Sequence, residues 1–149
     1  MDPEKNGAQK SAALTRRLRS ELMKEVVAAL IRSGDRFLIC RRPAHKMCGS
    51  MWEFAGGKVE TGETGADAIA REIREELDIE IAAEEPIAEA TQHYAEFDVH
   101  LTLYRCRLLS GTPKLLEHSE FRWITAEEAG EYEFCPADVQ LLGQLGMLK

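Results

Sequence analysis

The stretch REIREEL, residues 71–77, gathers acidic side chains at helical spacing. Glu72, Glu75 and Glu76 occupy positions i, i+3 and i+4, which are neighbours on one face of a helix. Like charges at this spacing repel one another by a few tenths of a kcal/mol per pair. The cluster is therefore either a solvated acidic surface or a site where a cation lies between the carboxylates.

An apolar stripe predicts a helix over residues 64–77, with Thr64 as its N-cap and Asp67 three residues further on. The three glutamates lie beside this stripe and not opposite it. A charge that borders buried surface is costly unless it is paired or binds a metal. Mg²⁺ takes oxygen ligands and commonly bridges carboxylates to substrate phosphates, so the placement favours a cation site. The stripe comprises Ala66, Ile69, Ala70, Ile73 and Leu77.

A glycine-rich loop, FAGGKVETGET, leads into this helix. The backbone at Gly56 and Gly57 can approach a ligand closely because neither residue has a side chain. The loop is not a P-loop, since it lacks the GxxxxGK[ST] pattern.

Residues 57–79, GKVETGETGADAIAREIREELDI, resemble the Nudix box, G-x5-E-x7-R-E-U-x-E-E-x-G-U with U aliphatic. One position departs from this pattern: Asp78 stands where the box has a glycine that ends the helix in a left-handed turn, a conformation that Asp tolerates at modest cost. From Glu25 to about Leu142 the chain is similar to the MutT branch of the Nudix hydrolases, which includes a cytidine triphosphate pyrophosphohydrolase. The matching positions are Gly57, Glu63, Arg71, Glu72, Ile73, Glu75, Glu76 and Ile79.

The resemblance implies a metal-dependent catalytic centre on the helix. Glu72, Glu75 and Glu76 would bind Mg²⁺ or Mn²⁺, together with the backbone carbonyl of Gly56. Glu72 would also orient or deprotonate the attacking water, and Arg71 would hold the acids in place through charge-assisted hydrogen bonds.

The resemblance also implies residues that contact the substrate outside the helix. Glu117 matches an additional metal-binding acid on a mobile loop, although it could be a plain exposed acid. Asp138 matches a base-reading position, although an acid in the first turn of a helix is also favoured by the helix dipole. The remaining implied roles are phosphate binding by Arg42 and Lys58, base binding by Glu53 and Phe54 beside Asp138, and structural support by Gly57 and Glu63. For Arg42, a simple salt bridge at a strand end is the alternative.

Composition limits the partners. With 149 residues, the chain is long enough for one domain with a core, which we assign to residues 23–149, and residues 1–22 read as an extension that is disordered or a short helix. A net charge of −7 disfavours binding to a nucleic acid polymer or an anionic membrane. No run of eighteen apolar residues is present, and the four cysteines fit reduced thiols in a cytoplasmic protein. A monomer and a homodimer both remain open.

Hydrophobic patterning predicts an α/β (α+β) fold with a mixed β-sheet sandwiched between helices, which is also the Nudix fold. A hairpin of strands is predicted at 25–32 and 36–42, and the segment 52–60 reads as a short strand that breaks at Gly56 and Gly57. Thr125 and Glu128 have capping-box spacing. Further strands are predicted at 87–94, 97–109 and 120–124, and a final helix at 136–148.

The resemblance implies hydrolysis of nucleoside triphosphates, ribo or deoxy, to a monophosphate and pyrophosphate. Sanitation of oxidised nucleotides such as 8-oxo-dGTP is the first expectation. Pyrophosphohydrolysis of CTP, dCTP or a modified pyrimidine nucleotide is the alternative. A nucleotide-sensing module without turnover is a third hypothesis, which the complete set of box acids disfavours.

Overall fold

The computed structural model describes residues 23–148 and, ahead of them, residues 11, 12 and 14. The extension predicted for residues 1–22 lies almost wholly outside this range and stays a prediction. Within the described part of the chain, no helix is both long and apolar enough to cross a membrane.

A seven-stranded mixed sheet forms the centre of the fold, with strand order β3-β2-β1-β6-β5, and with β4 pairing β1 and β7 pairing β2. β1 and β6 run parallel, whereas the other strand pairs are antiparallel. The strands are β1 (Met23–Ser33), β2 (Arg36–Arg41), β3 (Trp52–Glu53), β4 (Gly56–Lys58), β5 (Glu80–His93), β6 (Asp98–Ser110) and β7 (Glu120–Ile124). The helices are α1 (Gly65–Leu77), a 3₁₀ helix (Ala126–Glu131) and α2 (Pro136–Gln144).

Alternate residues of β1 point to opposite faces of the sheet and enter two separate hydrophobic clusters. On one face, Val27 and Ile31 pack in a cluster with Ile73 of α1. On the other face, Leu30 packs in a cluster with Leu141 of α2. The sheet is therefore sandwiched between helices, which confirms the predicted fold class.

Helix α1 begins and ends as the sequence predicts. The Thr64 hydroxyl oxygen accepts a hydrogen bond of 3.1 Å from the backbone nitrogen of Asp67. Asp78 follows the last turn with φ 53° and ψ 43°, and its N–H donates to the carbonyl of Arg74. Asp78 thus adopts the left-handed conformation that the box glycine would supply.

The predicted break at Gly56 and Gly57 is wrong. Both glycines lie within β4, opposite Ala28 and Val27 of β1, and the break falls just before them at residues 54–55. A Cβ atom at Gly56 would lie 1.9 Å from the carbonyl oxygen of Val27. Glycine is required here because β4 approaches β1 too closely for a side chain, not because the strand ends.

Two other boundaries differ from the prediction. β5 begins at Glu80, seven residues before the predicted start, and pairs with β6 through several register shifts. Such irregular pairing hides the alternation on which a strand prediction depends. Helix α2 ends at Gln144, because Gly146 takes a left-handed conformation with φ 72°.

Candidate active site

Arg71 of α1 organises the acidic residues of the box. Its Nε and Nη2 atoms donate to the two carboxylate oxygens of Glu63 at 2.7 and 2.9 Å. Nη1 donates to Glu72 at 2.9 Å and to Glu75 at 3.2 Å. The hydrogen bonds from Arg71, with one from the backbone of Glu60, lower the pKa of Glu63 to about 2. Arg71 therefore fastens the loop before α1 to the helix and orients Glu72.

Gly57 makes room for the carboxylate of Glu72. A Cβ atom at position 57 would lie 2.3 Å from Cδ of Glu72 and 2.4 Å from one of its oxygens. The Glu72 side chain is consequently packed against β4 and is only 16% exposed. Gly57 also pairs with Val27 of β1, so the core of the sheet sets the position of this acid.

Glu76 is the most strongly perturbed acid of the box. Burial raises its pKa to about 9, with further contributions from the charges of Glu53 and Glu72. Its Oε2 atom is buried and finds no hydrogen-bond partner among the described residues. A buried acceptor without a partner is expensive, and a hard cation would satisfy it. The orphaned oxygen and the glycine cradle around Glu72 therefore fit a divalent cation.

The box acids are near one another but do not converge to ligand distance. In the described part of the chain, one group of acid, Cys or His side chains has three ligand atoms within 4.8 Å, and it consists of Glu53, Cys135 and Asp138. Glu75 is 58% exposed and turns toward Arg71. Glu117 lies 3.4 Å from Lys46. Arg71 thus engages Glu75, and Lys46 engages Glu117, in this arrangement.

A cavity of about 280 Å³ lies on the α2 side of β4, so that β4 forms a wall shared with the box acids. The sequence analysis named candidate phosphate-binding and base-binding residues from separate segments of the chain. In the structure these residues line one cavity. They are Arg42, Glu53, Phe54, Lys58 and Asp138, and Gly56, whose carbonyl was expected to bind the metal, lines the same cavity.

Asp138 is buried at the cavity wall, with 4% of its surface exposed. Its Oδ1 atom accepts a hydrogen bond of 2.9 Å from the backbone nitrogen of Phe54. Burial, reinforced by the charge of Glu53, raises the pKa of Asp138 well above its ordinary value. A neutral carboxylic acid can donate through its second oxygen, so Asp138 is suited to an acceptor on a ligand.

Glu53 is held between two cationic or hydrogen-bonding partners. Nη1 of Arg42 lies 2.9 Å from its Oε1, and Nε2 of His118 lies 2.9 Å from its Oε2. Nε of Arg42 donates to the carbonyl of Met47. Arg42 is therefore engaged in the salt bridge that the sequence left as an alternative to phosphate binding. Lys58 is exposed on β4, and its carbonyl accepts from Arg71.

Several residues at the site were not among those predicted from the sequence. Tyr94 and Phe97, from the loop between β5 and β6, line the cavity with Lys24 and Cys135. Phe97 is half-buried, and Nζ of Lys24 lies 3.8 Å from its ring centroid. His118 directly follows Glu117, which was the one available signal. The pairing of β1 with β6 brings Lys24 close to Phe97, whereas Cys135 is placed by its backbone hydrogen bond to Trp52 of β3.

The family model for the NUDIX domain matches residues 26–144. The chain is 40% identical over 120 residues to the CTP pyrophosphohydrolase of Escherichia coli K12, covering 80% of this chain and 89% of that protein. It is 31% identical over 124 residues to the 8-oxo-dGTP diphosphatase of Haemophilus influenzae, covering 81% and 90%.

A solved structure has the same fold. The solution structure of the E. coli ORF135 protein superposes with a TM-score of 0.73 at 38% identity, covering 83% of this chain and 89% of that one. Matches of this extent, together with the organised box, establish the family. The chain belongs to the Nudix family and is a hydrolase of its MutT-like branch.

Proposed function

We propose that this protein hydrolyses nucleoside triphosphates to a nucleoside monophosphate and pyrophosphate with the help of Mg²⁺ or Mn²⁺. The observation that carries the proposal is the buried Oε2 of Glu76, which has no hydrogen-bond partner in the described part of the chain. Glu76 lies near Glu72, and its carboxyl group bonds the backbone of Gly56, which lines the cavity. Both the protein, at net charge −7, and a triphosphate are anionic, so a cation is needed to bring them together.

Each proposed role follows from where the residue lies. Glu72, Glu75, Glu76 and Glu117 would hold the cation with the carbonyl of Gly56. When bound, a divalent cation offsets phosphate charge and polarises a phosphoryl oxygen. Glu72 takes the proton from the attacking water, because Arg71 and the Gly57 cradle hold its carboxylate in one orientation.

The phosphate and base contacts come from the cavity. Lys58 is exposed at its edge and contacts the phosphates. Arg42 acts there through Glu53, or on the phosphates if that salt bridge opens. Asp138 reads the base beside Phe54, because its buried acid faces the cavity and is aligned by the Phe54 N–H.

For the base, we propose cytosine ahead of the oxidised purine that the sequence placed first. The relative at 40% identity over 120 residues is a CTP pyrophosphohydrolase, whereas a putative 8-oxo-dGTP diphosphatase of Mycobacterium tuberculosis is 36% identical over 115 residues and the 8-oxo-dGTP diphosphatase of Haemophilus influenzae is 31% identical. A donor at Asp138 can bond N3 or O2 of cytosine, but also O6 of a guanine, so 8-oxo-dGTP is retained as the second candidate. We further propose a cytoplasmic location, consistent with reduced thiols.

The deciding experiment is pyrophosphate release from CTP, dCTP, 5-methyl-dCTP, dGTP and 8-oxo-dGTP, with Mg²⁺ and with EDTA. Release that depends on Mg²⁺ and is fastest with a cytidine nucleotide is the expected result. Fastest release from 8-oxo-dGTP would move the protein to the sanitising class. If no substrate releases pyrophosphate, the proposed reaction is wrong, and a binding module becomes the better description.

A further inference from the structure

His118 is a buried residue that contacts the cavity only through another side chain. Its side chain is 4% exposed, and Nε2 lies 2.9 Å from Oε2 of Glu53. A carboxylate oxygen accepts hydrogen bonds, so Nε2 carries the proton. The other ring nitrogen, Nδ1, is buried and has no hydrogen-bond partner in the described part of the chain. Among the described residues, the His118 ring therefore forms its side-chain hydrogen bond with Glu53.

Glu53 lies between Glu76 and Asp138, so the orientation of its carboxylate affects both of these acids. Its charge raises the pKa of Glu76 on one side and of Asp138 on the other. One of its oxygens lies within 4.8 Å of a carboxylate oxygen of Asp138. Arg42 holds Oε1 and His118 holds Oε2, so the carboxylate has no freedom to rotate while both bonds exist. Rotation would change which oxygen faces the base.

The segment that carries His118 is itself anchored. The N–H and the hydroxyl of Ser119 both donate to the carbonyl of Arg41, at 3.0 and 3.3 Å. On the other side, Glu117 pairs with Lys46. His118 thus stands on a fixed segment and transmits that position to Glu53.

We propose that His118 is a positioning residue for nucleotide selection, acting by fixing the Glu53 carboxylate at the wall of the base-binding cavity. The inference rests on the proposed function, since it assumes that Glu53 and Asp138 face a nucleobase. The segment around Glu117 would then have two roles. Glu117 would bind the cation, and His118 would influence which nucleotide the cavity accepts.

The test compares His118→Gln with His118→Asn and His118→Leu. The amide nitrogen of Gln can occupy the place of Nε2, whereas Asn is too short and Leu has no donor. The readout is the ratio of kcat/KM for CTP to that for 8-oxo-dGTP. We expect the Asn and Leu variants to shift this ratio about tenfold, mainly through KM, and Gln to stay within about threefold of the wild type.

A double-mutant cycle identifies the route of the effect. If His118 acts through Glu53, adding His118→Leu or His118→Asn to Glu53→Ala, which removes the acceptor, leaves the ratio where Glu53→Ala puts it. Additive effects would overturn the proposal, as would equal ratios in the Gln and Asn variants. His100→Leu is the matched control, because His100 also pairs with glutamates but lies outside the cavity, and its ratio should equal that of the wild type.

The same comparison is made by binding, with dissociation constants for CMP and 8-oxo-dGMP. This readout needs no turnover, so it decides the role of His118 even if the wild type releases no pyrophosphate. If the wild type is active and all three His118 variants have its ratio of kcat/KM values, the role proposed for His118 is wrong. The proposed function is unaffected by that result. Should the Leu variant fail to fold, the Asn variant replaces it.

Discussion

The backbone nitrogen of Phe54 donates a 2.9 Å hydrogen bond to Oδ1 of Asp138, and both residues line the cavity. This bond fixes the Asp138 carboxyl group at the wall of the cavity. It also joins the start of the segment that leads into β4 to the first turn of α2, which are 84 residues apart in the sequence.

Replacing Asp138 should therefore change the choice of nucleotide. Burial favours the neutral form of Asp138, and Asp138→Asn supplies the same two functions without a charge, namely an acceptor for the Phe54 N–H and a donor for the base. We expect Asn to preserve the substrate ranking, and Asp138→Ala to alter it about tenfold with a smaller effect on maximal rate. Steady-state kinetics on CTP and 8-oxo-dGTP measure this. An unchanged ranking in the Ala variant would count against base reading at 138.

Glu72→Gln should abolish turnover without unfolding the protein. The substitution keeps the shape that fits against Gly57 but removes the proton acceptor. We expect kcat to fall by about 10²–10⁴-fold. Pyrophosphate release and circular dichroism are the two measurements, and a folded variant with nearly wild-type kcat would remove Glu72 from its proposed role.

Glu76→Gln should stabilise the protein in EDTA while lowering its activity. A carboxylate whose pKa rises from 4.5 to about 9 on folding favours the folded state most below pH 4.5, and this advantage is lost as pH rises toward 9. At pH 7.5 Glu76 ionises in the unfolded state but stays protonated in the folded state, so replacing it with the neutral Gln should raise the free energy of unfolding by on the order of 4 kcal/mol.

The control for this variant is Mg²⁺. Thermal unfolding of the wild type should shift upward on adding Mg²⁺ by more than that of Glu76→Gln, because only the wild type has a carboxylate that can ionise and bind the cation. Equal shifts in both proteins would show that Glu76 does not contribute to a cation site.

Asp78 should tolerate substitution only by residues that accept a left-handed backbone. Asp78→Ala should lower the free energy of unfolding by about 1 kcal/mol, whereas Asp78→Asn and Asp78→Gly should have smaller effects. Urea unfolding distinguishes them. Asn also removes the ion pair with Lys114, whose Nζ lies 2.8 Å from Oδ2, so it measures that contact separately. An Ala variant as stable as the Asn variant would contradict the backbone argument.

His100 should make stability depend on pH. Its hydrogen bond to Glu25, and a second one to Glu89, raise its pKa against the opposing effect of partial burial. A raised pKa contributes stability that is complete below the unfolded value, near 6.5, and is lost as pH rises through the folded value. The difference in Tm between the wild type and His100→Gln should therefore be larger at pH 5.5 than at pH 9. A difference that does not vary with pH would show that the imidazolium is not involved.

Local features were predictable from the sequence, and they account for much of the catalytic helix. The stripe through Ile69 and Ile73, the cap at Thr64 and the turn at Asp78 all depend on residues within a few positions of one another. The box pattern likewise placed Arg71 among the acids that it contacts.

The cavity was not predictable in the same way, because its contacts are distant in the chain. Glu53 meets His118 across 65 residues, and nothing in either segment specifies the partner. Phe97 reaches the cavity because β6 lies parallel to β1, which brings it to Lys24. The strand-breaking role assigned to Gly56 and Gly57 was wrong for a related reason, since what requires glycine there is the proximity of β1.

The parallel pairing of β1 with β6 also has a consequence for synthesis. Met23 pairs with Asp98 and Arg32 with Arg107, so β1 leaves the ribosome long before the strand that completes it. Helix α1, with all three box glutamates, packs against β1 and β4, which both precede it in the chain. The cavity is lined by Lys24 near the start of β1 and by Asp138 in α2, so it is complete only when both ends of the domain are in place. A chain that stops short of α2 would carry the box acids without a complete cavity to hold a nucleotide.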